Sequence, residues 1–249
     1  VEKTKLDKIV LLFRRDTQHV PPGQRLDSID ALLYYNVLQR LRRKNWDIDT
    51  ILERSHFAIE DLTFNSILIR ANTHLADIAK LIRHKIPEEL QVSMKATEDA
   101  LDKLWDGYYK EYFSRNFVTH KLIKQPSIAT LMPLYAGTIA KERAEELVAK
   151  LHDKHLFSAD FPIPSVPLNS TFYKELGYWQ GPSWVNTNWL IVDGLRRYGF
   201  DEEADFVRNQ SIKMVEEHGP YEYFSAKTGE PAGAKNFSWT AALILDFLS

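Results

Sequence analysis

The 249-residue chain contains no cysteine. That absence excludes a disulfide framework, a thiolate zinc site and a cysteine nucleophile, and it points to a reducing or disulfide-indifferent compartment. An excess of either charge is also lacking: 32 Lys+Arg against 34 Asp+Glu leave a net charge of −2. No basic field is therefore on offer to nucleic acid or to an anionic membrane surface, and neither is expected as a partner. The uncharged stretches are too broken to span a bilayer, since 125–140 contains Pro133 and 176–192 contains Pro182, Ser183 and Asn186. The first residues, VEKTKLDKIV, show no apolar core or cleavage site of a secretory signal, so the expected location is cytoplasmic and the Asn-x-Ser/Thr triplets at Asn169, Asn209 and Asn236 read as chance. GxGxxG, Walker, GxSxG and HExxH patterns are missing as well. Nucleotide binding and the commonest hydrolase motifs have no support, and no cofactor is expected.

What the chain does have is helical periodicity over most of its length. Ile29, Leu32, Leu33, Val37, Leu38 and Leu41 mark one face of a helix over Ser28–Arg43, with Asp27 or Ser28 as its cap. Further helices are predicted over Ile59–Arg83, from Pro87 onward, and over Ile128–Tyr135, Lys141–Lys154, Ser183–Tyr198, Glu202–His218 and Phe237–Phe247. Two short aromatic runs, 107–113 and 221–224, alternate with period two and read as inserted hairpin pieces. The later helices come in pairs, a more apolar member before a more charged one, which suggests inner and outer rings. The periodicity fits a closed toroid and an open solenoid equally well.

The tryptophans are unevenly placed: Trp179, Trp184, Trp189 and Trp239 lie near the C-terminal end, with only Trp46 and Trp105 before them. They sit in the polar, turn-rich strings GYWQGPSWVNTNW and YEYFSAKTGEPAGAKNFSW. Aromatic faces beside amides and carboxylates suit a sugar, whose C–H faces stack on rings while its hydroxyls take directional hydrogen bonds. Glu222, between Tyr221 and Tyr223, is a carboxylate in an aromatic loop and a candidate general base. By residue type alone, a packed core is the favoured reading of the tryptophans and a solvent-facing strand edge that of Glu222. The segment RRDTQHVPPGQRLD gathers Arg14, Arg15, Asp16, His19 and Arg25 before the first strong helix, where the guanidinium forks are suited to hydroxyls or a carboxylate. His152 and His155 are spaced for a metal, but HDKH offers no third ligand and reads as a solvated face.

The stretches RRDTQHVPPGQR, FAIEDLTFNSILIRAN, GYWQGPSWVNTNWLIVDGLRRYGF and YEYFSAKTGEPAGAKNFSWTAALILDFL run in order through nearly the whole chain. Together they resemble the C-terminal part of the (α/α)6 toroid of glycoside hydrolase family 63, in particular its bacterial mannosylglycerate and glucosylglycerate hydrolases; the trehalases share the clan. The resemblance implies an all-α toroid-type barrel, incomplete at about eight readable helices, with short hairpin insertions and all of 1–249 belonging to the C-terminal portion of one catalytic domain. It implies inverting hydrolysis of α-glucosides or α-mannosides, with two carboxyl groups about 6.5–9.5 Å apart to hold a water. Glu222 takes the general-base position. Tyr178, Trp179 and Trp184 take the aromatic wall, Gln180 a hydroxyl contact, and Arg25, Arg15, Asp16 and Tyr223 polar positions near a small carbohydrate. The family's acid, an aspartate in an aromatic-Asp-Ser-Pro segment, has no counterpart here, and Asp16 is only a substitute candidate. The expected chain carries the base without the acid and offers an open toroid edge for self-association. A non-catalytic helical-repeat or carbohydrate-binding module is the alternative; an exposed apolar patch on the open edge would favour it, and a cleft gathering Glu222, Trp179 and Trp184 would count against it.

Overall fold

The computed structural model describes residues 14, 15, 20–55 and 57–249. Among these it holds nine α-helices and three two-stranded antiparallel sheets. Helix α1, Ser28–Arg43, starts on Asp27, whose side chain accepts a hydrogen bond from the Asp30 amide; α2, Ile48–Arg54, is capped in the same way by Asp47. Each cap satisfies one of the four amides that a helix start leaves without a partner.

Strand β1, Ile59–Glu60, and a third cap, Asp61, precede α3, Leu62–Leu81. Periodicity carries the predicted helix back to Ile59, but Ile59 and Glu60 pair instead with Asn116 and Arg115 of β4, Arg115–Asn116. The Asp61 side chain accepts from the Phe64 amide and fixes the boundary. Helix α4, Glu88–Leu101, follows Pro87 and lies against α3. The aromatic run at 107–113 is a hairpin in which β2, Trp105–Asp106, pairs with β3, Glu111–Tyr112, around a turn at 107–110. The predicted Ile128–Tyr135 helix is a 3₁₀ turn, Ile128–Leu131, followed by the one-turn helix α5, Pro133–Ala136, because Pro133 has no amide to donate across the junction. Helix α6 spans Lys141–His152, α7 Val185–Arg197, α8 Asp201–His218 and α9 Ser238–Leu248.

The core gathers around α7, which packs on α5, α8 and α9. Leu131, Leu134, Leu147, Ile191, Leu195 and Met214 are completely enclosed there. Gly194 lets α7 approach α5 at the backbone: a Cβ at this position would lie 2.6 Å from the Leu134 carbonyl carbon. Among the described residues, no helix is long and apolar enough to cross a membrane.

Candidate active site

The site is built on a short ladder. Strand β5, Tyr223–Phe224, pairs with β6, Pro231–Ala232, and Ser183 bridges Phe224 on one side and Pro164 on the other. The Ser183 amide donates to the Phe224 carbonyl at 2.8 Å, and the Phe224 amide donates back at 3.0 Å. Because Ser183 immediately precedes Trp184 at the start of α7, this exchange sets Trp184 beside Tyr223. Asn188, one turn into α7 and fully buried, locks the arrangement: its Oδ1 accepts from the Ile163 amide, and its Nδ2 reaches the Pro162 carbonyl, Ser183 Oγ and Ser211 Oγ.

Residues 174–181 form a tight turn against the ladder. The Lys174 amide donates to the Gln180 carbonyl at 2.6 Å, and Gly181 passes so close to Lys174 that a Cβ there would meet its carbonyl oxygen at 2.2 Å. Tyr178 is held at φ +58°, a left-handed conformation that costs an L-residue about 1–2 kcal/mol. The Trp184 Nε1–H donates to the Tyr178 carbonyl at 3.0 Å and stabilises the turn. The rings then stack in series: Trp179 on Trp184 at 3.8 Å and 3°, and Trp184 on Tyr223 at 4.8 Å and 30°. Trp184 and Tyr223 are enclosed, whereas Trp179 keeps 37% of its surface exposed. The outer end of the stack is therefore open.

Glu222 lies just before β5 and is 6% exposed. Arg25 holds it with both arms of its guanidinium, Nη1 to Oε1 and Nη2 to Oε2, each at 2.7 Å. The Ala234 amide donates to Oε2 at 3.0 Å. A carboxylate offers about four lone-pair positions. Among the described residues Oε2 thus takes two donors and Oε1 one. Arg25 also lies over the Tyr178 ring, 5.2 Å from its centroid. Its hydrogen bond to Glu222 outweighs burial and raises the guanidinium above its ordinary value. Burial pushes the Tyr223 hydroxyl well above the ordinary tyrosine range, and the hydroxyl donates to the Gln24 carbonyl at 2.6 Å. The Gly233 amide, at φ +77°, donates to Gln24 Oε1 at 2.9 Å. A Cβ on Gly233 would lie 2.7 Å from both Cβ and Oε2 of Glu222.

Glu222, Arg25, Tyr178, Trp179, Trp184 and Tyr223 therefore come together. The reading of Glu222 as a solvent-facing strand edge is overturned by its burial against Arg25, and the tryptophan choice divides: Trp184 is core and Trp179 is surface. Gln180 supports the turn through its carbonyl, Arg15 is exposed, and Asp16 and His19 lie outside the described residues. Arg14 donates to the Leu26 carbonyl at 2.6 Å. His152 is engaged with Glu203 at 3.0 Å. Gln24, Gly233 and Ala234 were not legible as site residues, because two of them act through backbone groups and Gln24 acts across the fold. The glycine and alanine in the loop GEPAGAK were the available signal.

Residues 23–240 match the family described as the mannosylglycerate hydrolase MGH1-like glycoside hydrolase domain. The mannosylglycerate hydrolase of Thermus thermophilus is 36% identical over 232 residues, 93% of this chain and 55% of that protein. The glucosylglycerate hydrolase of Mycolicibacterium hassiacum is 25% identical over 91% of this chain and 52% of that protein. The chain spans about half the length of the curated relatives it matches. A crystal structure of the family 63 mannosylglycerate hydrolase from Thermus thermophilus, in complex with Tris and D-glycerate, aligns with a TM-score of 0.89 at 35% identity, covering 95% of this chain and 57% of that one.

Proposed function

The chain belongs to the family of mannosylglycerate hydrolase MGH1-like glycoside hydrolase domains, and from that membership we propose that Glu222 is the general base of an inverting hydrolysis of mannosylglycerate or glucosylglycerate. The all-α fold is that of the family 63 helical toroid. The observation that carries the reading is the bidentate Arg25–Glu222 pair beside an aromatic stack that is open at Trp179. Arg25 and the Ala234 amide fix the plane of the Glu222 carboxyl group. Oε1, with the fewer donors, takes a proton from water; the water oxygen bonds to the anomeric carbon as the opposite glycosidic C–O bond breaks. The leaving oxygen is protonated by a general acid that the proposal places on none of these 249 residues. The open face of Trp179 supplies a stacking surface for the sugar. In the same proposal, 1–249 is one portion of a single catalytic domain that works in the cytoplasm.

The test has two arms. Tryptophan fluorescence titrations with mannosylglycerate and glucosylglycerate should show saturable binding that is lost in Trp179→Ala. Release of mannose or glucose by the chain alone should be reduced by at least the factor of about 10²–10⁴ that general-acid assistance contributes. Robust turnover abolished by Glu222→Gln would keep the base and remove the missing-acid argument. No binding at all would remove the sugar site.

The exposed apolar residues of α1, with Leu33 at 59%, favour a second reading in which the chain associates through this face as a helical module. Concentration-dependent oligomers in sedimentation, without sugar binding, would select it.

A further inference from the structure

Arg70 is the anomaly among the arginines. It lies on the buried face of α3 and keeps only 8% of its surface. Its Nε is enclosed without a hydrogen-bond partner, and it forms no ion pair with any described residue. Among the other enclosed or half-enclosed arginines, Arg25 is paired with Glu222, Arg115 with Glu60 and Arg197 with Asp193, and half-buried Arg208 is held by the Phe247 carbonyl. An enclosed guanidinium nitrogen without a hydrogen-bond partner is disfavoured, and such groups in folded proteins are compensated.

The surroundings define what would compensate it. Helix α3 packs on α5, where the Tyr135 hydroxyl lies within electrostatic reach of Arg70, Asp193 and Arg197. Arg197 and Asp193 neutralise each other through Nε to Oδ2 at 2.7 Å and Nη2 to Oδ1 at 2.9 Å. These three charged side chains leave one positive charge, that of Arg70. Trp189 contacts the Tyr135 ring at 6.4 Å and gives the place an aromatic wall. A planar fork whose Nε lacks a partner matches a planar monoanion with two acceptor oxygens.

We propose that Arg70 is the binding point for one carboxylate of a small organic acid, received between α3, α5 and α7 with the Tyr135 hydroxyl as a second donor. The inference is independent of the Glu222 reading: it uses none of the residues of that site and predicts binding without turnover.

Acetate is the probe. It is titrated against chloride at constant ionic strength while the melting temperature and tryptophan fluorescence are followed. The wild-type chain should show a saturable rise in melting temperature, and Arg70→Met should show none. Arg70→Lys, which keeps the charge and loses the fork, should bind at least tenfold more weakly. An identical response in wild type and Arg70→Met, or no saturable response in the wild type, would overturn the proposal. So would inorganic phosphate binding as tightly as acetate, because that would make the site a general anion site. If Arg70→Met does not fold, an acetate response in Arg70→Lys equal to that of the wild type overturns it alone.

Discussion

Helices α1 and α7 have similar amphipathic spacing and opposite fates. Of the thirteen residues of α7, seven are buried, among them Ile191, Val192 and Leu195. Of the sixteen residues of α1, only Ser28 is buried, and Leu33 and Leu38 remain exposed. The difference lies in neighbours: α7 is flanked by α5, α8 and α9, whereas the apolar face of α1 finds little cover among the described residues. Periodicity declares that a helix has a face to bury. It does not declare against what.

The contrast can be broken by mutation. Gly194→Val should have the largest effect, because its side chain would meet the α5 backbone; the expected outcome is failure to fold, seen as loss of a cooperative denaturation transition. Leu195→Ala should cost about 2–5 kcal/mol in chemical denaturation, whereas Leu33→Ala on α1 should change it by no more than about 0.5 kcal/mol. An equal loss at both positions would mean that α1 is covered in solution. The ion pairs extend the comparison. Arg25→Met strands the buried Glu222 and should cost about 3–5 kcal/mol, whereas Arg115→Met, whose partner Glu60 is more exposed, should cost about 1 kcal/mol. Gly233→Ala should unfold little of the chain but weaken sugar binding in the fluorescence titration, because its methyl group displaces Glu222.

The smallest effect concerns pH. Burial pushes the Glu111 carboxyl above its ordinary value, against the opposing pull of Lys150 at 3.5 Å. The stability it contributes is therefore fully present below the ordinary carboxylate value and lost as pH rises through the raised one. Glu111→Gln should remove that slope, so that the variant gains melting temperature over the wild type toward neutral pH. A gain on the acid side alone would reverse the assignment.

Much of this was legible beforehand. A cap at Asp27 or Ser28, of which the structure uses Asp27, the limits of α1 and α8 to within a residue, and the hairpin at 107–113 follow from local chemistry, and the four matching stretches carried the fold family. Helix α2 escaped because its seven residues complete barely two turns of apolar pattern. The start of α3 was misplaced because β1 answers to Arg115 and Asn116, more than fifty residues away. Glu222 was singled out by its aromatic neighbours, and only the family resemblance gave it the base position. Its clamp was only half found: Arg25 was placed near a ligand, and its hold on Glu222 across the fold has no local signature.

That clamp has a consequence for the order of events as the chain is made. Glu222 and Arg25 are 197 positions apart, so a ribosome exposes one partner almost the full length of this chain before the other. The entropic penalty of closing so long a loop rises only with the logarithm of its length, and the pairing is limited by arrival, not by distance. Until β5 emerges, Arg25 has no Glu222 to hold. The carboxylate is therefore secured only after β5 has emerged, and its ion pair with Arg25 reports that two segments 197 positions apart have met.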